Sequence, residues 1–442
     1  MTQYVIAAKR VVVPLFRIRD TSRAALLLVA AGALLFVILV LKSYSLVQIS
    51  EVPLINAYAI FLGVYQLSRL TLATLYRTHT KEIEQDFPDH QEFLPKVTFI
   101  IPCKNEEGAI VDNIGHCFQV DYPSYLLEVI VINDGSTDGT LKELRRGQKK
   151  YPELQVINFR KNRGKRHAMA AGVKKAQGQI VIQLDSDSYI NPHDFRKLVK
   201  PFLDPKIGAV CAHAEPANRD HNLLTKAQAG YYAMAFRILK AAESNFQVVL
   251  CCSGCCSAYR RSAILPLIDQ CANEKFLGVN INSGDDRSLT NLLIKNGFRT
   301  IYLDDVWAYT IVPTKIRQLM KQQVRWKKSW FANTVRASRY MWRQEGFVAF
   351  TYFYPLAFIT FITPFMAMYG LFYYTASHHA FPTHYLLGAL LVMMLFATVT
   401  GLLNGRKYWV YLIVWAGVNT LFLSYLLPYA ILTIRDARWG TR

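Results

Sequence analysis

The sequence predicts a parallel α/β sheet domain carried between helical, membrane-crossing ends, on three observations. The 442 residues are 52% hydrophobic yet 19% charged, too apolar for an ordinary soluble protein and too charged for a purely intramembrane one. Long apolar stretches lie at both ends. Between them, short β-branched runs alternate with polar helical stretches, the pattern of strands buried under helices.

The apolar stretches are residues 24–41, 52–76 (interrupted by Arg69), 349–375, 385–403 and 408–434. Each approaches or exceeds the roughly 18–20 residues that cross a bilayer. Lys9, Arg10, Arg17, Arg19 and Arg23 precede the first, and Arg69, Arg77 and Lys81 mark the exit of the second. The positive-inside rule then places the N-terminus and the central domain in the cytoplasm. The loop 376–384 carries no Lys or Arg and reads as external, whereas Arg406, Lys407, Arg435, Arg438 and Arg442 read as internal. Residues 408–434 are therefore expected to begin and end on the cytoplasmic side, as a re-entrant or interfacial hairpin broken near Asn419 or Pro428. A simple span with an external tail is the alternative.

The strands expected in the central region are residues 96–102, 127–134, 154–159 and 178–188, with amphipathic helices over 137–150 and 164–177. Ligands of such sheets bind at the C-terminal ends of the strands, where the polar residues gather: Asn105, Glu106 and Glu107, then Asp134, then residues 162–166, then Asp185 and Asp187. The "DSD" of residues 185–187 presents two carboxylates at i and i+2. Leaving a buried strand, they need a cation or donors, and oxygen ligands suit Mg²⁺ or Mn²⁺. "NRGKR" (162–166) offers a turn glycine and three cations at a helix start, either a phosphate cradle or a solvated basic turn. "GDDR" (284–287) pairs Asp285 with Asp286 ahead of Arg287, as acids favouring a helix dipole or as a base tuned by its neighbour. "QQVRW" (322–326) brings Gln322, Arg325 and Trp326 to nearly one helical face, which by itself reads as an interfacial anchor.

"VVLCCSGCCSAYRR" (248–261) packs four of the eight cysteines, Cys251, Cys252, Cys255 and Cys256, into six positions. A reducing compartment excludes a disulfide knot, and zinc would call for paired ligands repeated elsewhere. The formal charge of +20 follows from positive-inside loops or from anionic substrates, and no nucleic-acid-binding motif accompanies it.

Taken together and in order, the Asp of "VINDGSTDGT", the "DSD", the Ser-Gly of "CSG", "GDDR", "QxxRW" and the terminal "WGTR" (439–442) resemble the processive family-2 glycosyltransferases, most closely the class I hyaluronan synthases. The resemblance implies a cytosolic, Rossmann-like GT-A domain fused to an α-helical transmembrane domain with amphipathic interface helices. Its implied divisions are residues 1–79 (tail and two spans), 80–312 (GT-A domain), 313–345 (interface helices) and 346–442 (C-terminal spans and cytosolic tail) of a multi-pass cell-membrane protein. It implies polymerisation of UDP-GlcNAc and UDP-GlcA into hyaluronan, with extrusion of the growing polysaccharide. A chitin-type synthase using UDP-GlcNAc alone is the nearest rival; a nonprocessive transferase and an inactive membrane scaffold stand further off.

The roles it implies are these. Asp134 contacts the nucleotide base and Lys165 the phosphates. Asp187, helped by Asp185, binds Mg²⁺ or Mn²⁺. Asp286 is the general base, flanked by Asp285 and Arg287. Gln322, Arg325 and Trp326 close over diphosphate and acceptor. Cys252, Ser253 and Gly254 wall the acceptor, and Trp439 and Arg442 approach the nucleotide. Helical segments 223–242 and 314–342, with Arg237, Lys240, Lys315, Arg317, Lys321, Lys327 and Lys328, are expected to lie on membrane lipid at the cytoplasmic leaflet.

Overall fold

The computed structural model describes residues 53–77, 93–280, 284–379, 383–404 and 407–435, with Val37. The first four strands fall close to where the pattern puts them: β1 Val97–Cys103, β2 Leu127–Asp134, β3 Leu154–Phe159 and β4 Ile180–Gln183. Between them run α2 Ile110–Phe118, α3 Thr140–Lys150 and α4 Lys165–Lys175; α1, Pro53–Leu75, precedes the sheet. β1, β2 and β4 are buried along their whole length, so near-continuous Val and Ile runs, rather than alternation, are what this sheet requires. Val129, Val131, Phe99 and Ile101 face one layer of core, Ile100, Ile130 and Ile132 the other, as period-2 strands covered on both sides must.

The sheet is mixed rather than parallel throughout. Its order is β3-β2-β1-β4-β7-β6-β10-β5, where β5 is Ser188–Ile190, β6 Ile207–Pro216, β7 Ser257–Arg260 and β10 Arg299–Thr310. β3, β2, β1 and β4 are parallel, but β7 runs antiparallel to both β4 and β6, and β5 antiparallel to β10. The reason is local: the cysteine-rich stretch lies beside the strand-end carboxylates, so the chain enters β7 from that end and must run back. A two-stranded hairpin, β8 Lys275–Phe276 and β9 Val279–Asn280, follows.

Helix α5, Leu223–Met234, continues through a π-helical segment, Ala235–Lys240, to Ser244. α6 is Asp285–Lys295 and α7 Ile316–Ala337. After α7, one helical run, Gly346–Ser377, containing α8 (Tyr354–Met368), is long and apolar enough to cross a membrane. α9 is Thr383–Asn404, and α10 Leu412–Val418 leads through a π-helical segment, Asn419–Leu423, to α11 Leu426–Leu432.

Three expectations about these helices change. The hairpin in 408–434 does not form: Val418, Asn419, Ser424 and Tyr425 all keep right-handed helical dihedrals. Asn419 marks a π-bulge, which widens a helix without reversing it. Arg237 and Lys240 do not face lipid. Arg237 pairs with Asp304 at 3.4 Å beneath the sheet, and Lys240 donates to the Cys251 carbonyl, because the face of α5 that carries them packs on the domain. Arg69 is not a boundary charge either: only 5% exposed, it lies 5.4 Å from the ring of Tyr65 and 5.6 Å from that of Tyr352, whose π-faces offset part of its desolvation.

Candidate active site

The loops that leave β1 and β2 are lashed together. Asn105, in the left-handed conformation at φ 57, accepts from the Thr137 N–H at 2.9 Å, and Glu107 accepts from the Gly139 N–H at 2.9 Å. Glu106 accepts from Ser186 Oγ at 3.1 Å, which ties this pair of loops to the DSD. Asp134, at the end of β2 and 2% exposed, takes the backbone N–H groups of Arg163 (2.7 Å) and Gly164 (2.9 Å) on its two oxygens. Its carboxylate thus holds the NRGKR turn in place at the start of α4.

That turn aims Lys165 inward. Its ammonium lies 2.5 Å from Asp185 and 3.4 Å from Asp285, bridging two acids that stand 100 residues apart in the chain. Burial disfavours its charge, yet Asp185 and Asp285 more than compensate and hold it well above the usual lysine range. Asp185 Oδ2 has no hydrogen-bond partner among the described residues, and Asp187, half-buried two residues on, accepts from Ser188 Oγ at 3.2 Å. Two carboxylates this close together, on a strand end open to the loops, are oxygen ligands of the kind that a hard divalent cation takes.

The cysteine run lies between the two acid clusters. Gly254 accepts from the Asp185 N–H at 3.0 Å, and a Cβ on Gly254 would sit 3.1 Å from the Asp185 carboxylate and 3.2 Å from Lys165 Nζ. At the other end Cys252 N–H donates to Thr290 Oγ1 (3.0 Å), whose hydroxyl donates to the Asp286 carbonyl (2.7 Å). Cys251 Sγ lies 3.6 Å from Asp286 Oδ2, while the Ser253 carbonyl takes Ser257 Oγ at 2.7 Å. The thiols are free, and Cys252, Cys255 and Cys256 are buried. Burial, and for Cys251 also the charge of Asp286, pushes these groups up, Cys251 to about 12, so they remain neutral and pack as small apolar side chains.

Asp285 and Asp286 open α6, where the helix dipole favours negative charge, but their surroundings separate them. Although burial raises Asp285, Lys165 and Arg166 overcome it and hold the carboxyl below the ordinary range. Gln183, at the end of β4, also donates to Asp285 at 2.8 Å. Asp286 is pushed up, by burial and then by the negative charge of Asp285; the Arg287 N–H donates to it at 2.7 Å. One acid is fixed as an anion and its neighbour is poised to take a proton.

Helix α7 rests on this helix start. Gly284, at φ +71, has Ser329 Oγ 1.6 Å from where a Cβ would be, so only glycine satisfies both the turn and the contact. Gln322, Arg325 and Trp326 lie further toward the start of α7, and among the described residues they make no hydrogen bond or ion pair; Trp326 is 36% exposed. Trp439 and Arg442 lie outside the described residues. Sequence reasoning missed Gln183, Thr290 and Glu274, since a buried Gln or Thr carries no motif until the partner it touches is known; Arg166, read as a cation of the NRGKR turn, points instead to Glu274 and the Cys271 and Gly284 carbonyls.

Residues 98–266 match the family described as Glycosyl transferase family 2. An N-acetylglucosaminyltransferase of Azorhizobium caulinodans is 31% identical over 351 residues, 79% of this chain and 87% of the relative. A hyaluronan synthase of Streptococcus pyogenes serotype M1 is 28% identical over 397 residues, 88% of this chain and 91% of the relative. Among solved structures, a mannosyltransferase from Pyrobaculum calidifontis, in complex with GDP-Man and Mn²⁺, superposes with a TM-score of 0.55 at 23% identity, covering 84% of this chain and 99% of that one. The chain belongs to glycosyltransferase family 2 and has the GT-A fold.

Proposed function

We propose that this protein is a processive, inverting glycosyltransferase that draws on UDP-GlcNAc and UDP-GlcA to polymerise hyaluronan and pass it through its own membrane domain. The observation that carries the chemistry is the split pair at the start of α6: Asp286, raised by burial and by Asp285, is suited to remove the proton of the acceptor hydroxyl. Asp285 stays ionised against Lys165. Lys165 is placed to exchange a carboxylate for the donor's phosphates. Asp185 and Asp187 would hold Mg²⁺ or Mn²⁺, which supplies positive charge to the departing diphosphate. Arg325, with Gln322 and Trp326, would complete the site from α7 by stabilising charge on that leaving group. Asp134 orders the loop against which the nucleotide lies, and residues 251–254 form the wall beside the acceptor. The long apolar run Gly346–Ser377 supports membrane residence, and α1, α9 and the stretch 24–41, which apart from Val37 lies outside the described residues, are read as further spans.

A second reading, a chitin-oligosaccharide type synthase using UDP-GlcNAc alone, is favoured by the relatives: seven of 31–35% identity are named N-acetylglucosaminyltransferase. Both readings share transfer from UDP-GlcNAc. Purified protein in proteoliposomes, given UDP-GlcNAc, UDP-GlcA or both with Mg²⁺ or Mn²⁺, separates them. High-mass product formed only with both donors and degraded by hyaluronidase supports hyaluronan; product from UDP-GlcNAc alone, degraded by chitinase, replaces it with the second reading. No UDP release under any condition would remove both.

A further inference from the structure

We infer that Arg166, Glu274 and Arg336 form a positioning clamp that sets the α7 residues Gln322 and Arg325 against the Asp286 base. This inference rests on the glycosyl-transfer reading. Glu274 lies just before the β8–β9 hairpin, outside every motif. Its Oε2 accepts from Arg166 Nη1 at 2.8 Å and from Ser288 Oγ at 2.6 Å, and forms an ion pair with Arg336 Nη1 at 2.7 Å. These three partners belong to three different parts of the site: α4, which opens at Lys165; α7, which carries QxxRW; and α6, which opens on the two aspartates. Arg166, 3% exposed, extends the link, donating to the Cys271 carbonyl at 2.8 Å and to the Gly284 carbonyl at 3.1 Å.

The clamp reaches Arg325 through helix geometry. Positions 322, 325, 329, 333 and 336 recur at three- and four-residue steps and share one face of α7. Ser329 on that face meets Gly284, with no room between them, the Asn333 amide lies 3.4 Å from where a Cβ on Gly284 would be, and the Asn333 backbone carbonyl accepts from Asn291 of α6 at 3.5 Å. Arg336 holds the far end, also donating to the Lys275 carbonyl. Arg325 lies eleven residues, about 16 Å, from Arg336 along a rigid helix. A small tilt at the clamped end therefore displaces Arg325 from the diphosphate while leaving each element folded. Glu274 is mostly buried, with 13% of its side chain exposed, and an anion shared by two guanidiniums is costly to leave unpaired, so the arrangement holds one geometry.

The test measures UDP released per sugar incorporated, a ratio that does not depend on how much enzyme is folded. Arg336→Met and Glu274→Leu are each expected to raise it at least threefold, because water replaces a misaligned acceptor, with UDP affinity changed less than twofold. The double variant should match the worse single one, and Arg336→Lys should return the ratio to within twofold of wild type. A ratio unchanged in all variants, with only the total rate lowered, would make the cluster a mere brace and overturn the inference. If the wild type forms no polymer, the polymerase reading fails instead. The clamp is then scored on donor hydrolysis, where an unchanged split between kcat and KM in every variant would overturn it.

Discussion

The acid pair at the end of β4 and the acid pair at the start of α6 have similar composition and opposite surroundings. Asp185 and Asp187 leave a strand into half-exposed loops held by Glu106 and Ser188, where a carboxylate can exchange one partner for another. Asp285 and Asp286 are sunk at a helix start against Lys165, Arg166, Gln183 and the cysteine run, where each ionisation state is fixed by its neighbours. The first environment suits binding a cation and releasing it each cycle; the second suits holding or taking a single proton. Lys165 belongs to both, so a change at one pair is felt at the other.

The sharpest way to break this comparison is Asp286→Asn. Loss of the base should lower transfer by about 10²–10⁴-fold with UDP binding within twofold, measured by UDP release and by calorimetric titration; retained turnover would take the role from Asp286. Next, Arg325→Ala should lower kcat by about 10²–10³-fold with a smaller change in donor KM; an effect on KM alone would return QxxRW to the anchoring role.

Asp285→Asn sharpens the contrast within the pair. With Asp286 as the proposed base, the rate should rise with pH through the Asp286 pKa, which stands above the ordinary carboxylate value. Removing the neighbouring negative charge lowers that pKa, so the acid limb of the pH–rate profile should move to lower pH even as the maximum falls. A limb that stays in place would show that burial alone sets the base. The smallest expected effect is that of Cys252→Ser, which puts a more polar group at a fully buried position and should cost about 1–3 kcal/mol of stability, read as a lower Tm. Metal dependence should not change; a fall in bound metal would make the cysteine run a ligand site after all.

Much of this was legible along the chain. Uninterrupted Val and Ile runs at β1, β2 and β4 mark a doubly covered sheet, and polar residues just beyond them mark its working edge. Glycine at 284 could be seen in the motif, but not that Ser329 would occupy its Cβ position. Charge counting misplaced Arg69, Arg237 and Lys240, because sequence reveals a cation without revealing the tyrosine ring, aspartate or carbonyl that receives it. It also called for a reversal in 408–434, where a helix absorbs the irregularity as a π-bulge.

By itself, the sequence determined the α/β class, the four parallel strands, the acids at their ends and the family, because these depend on periodicity and on residues close together in the chain. Tertiary structure alone decided that Lys165 joins Asp185 to Asp285, that Asp286 rather than Asp285 is raised, and that Glu274 gathers three helices. Each of these depends on groups far apart in sequence, whose charges act through space and whose burial no local pattern records.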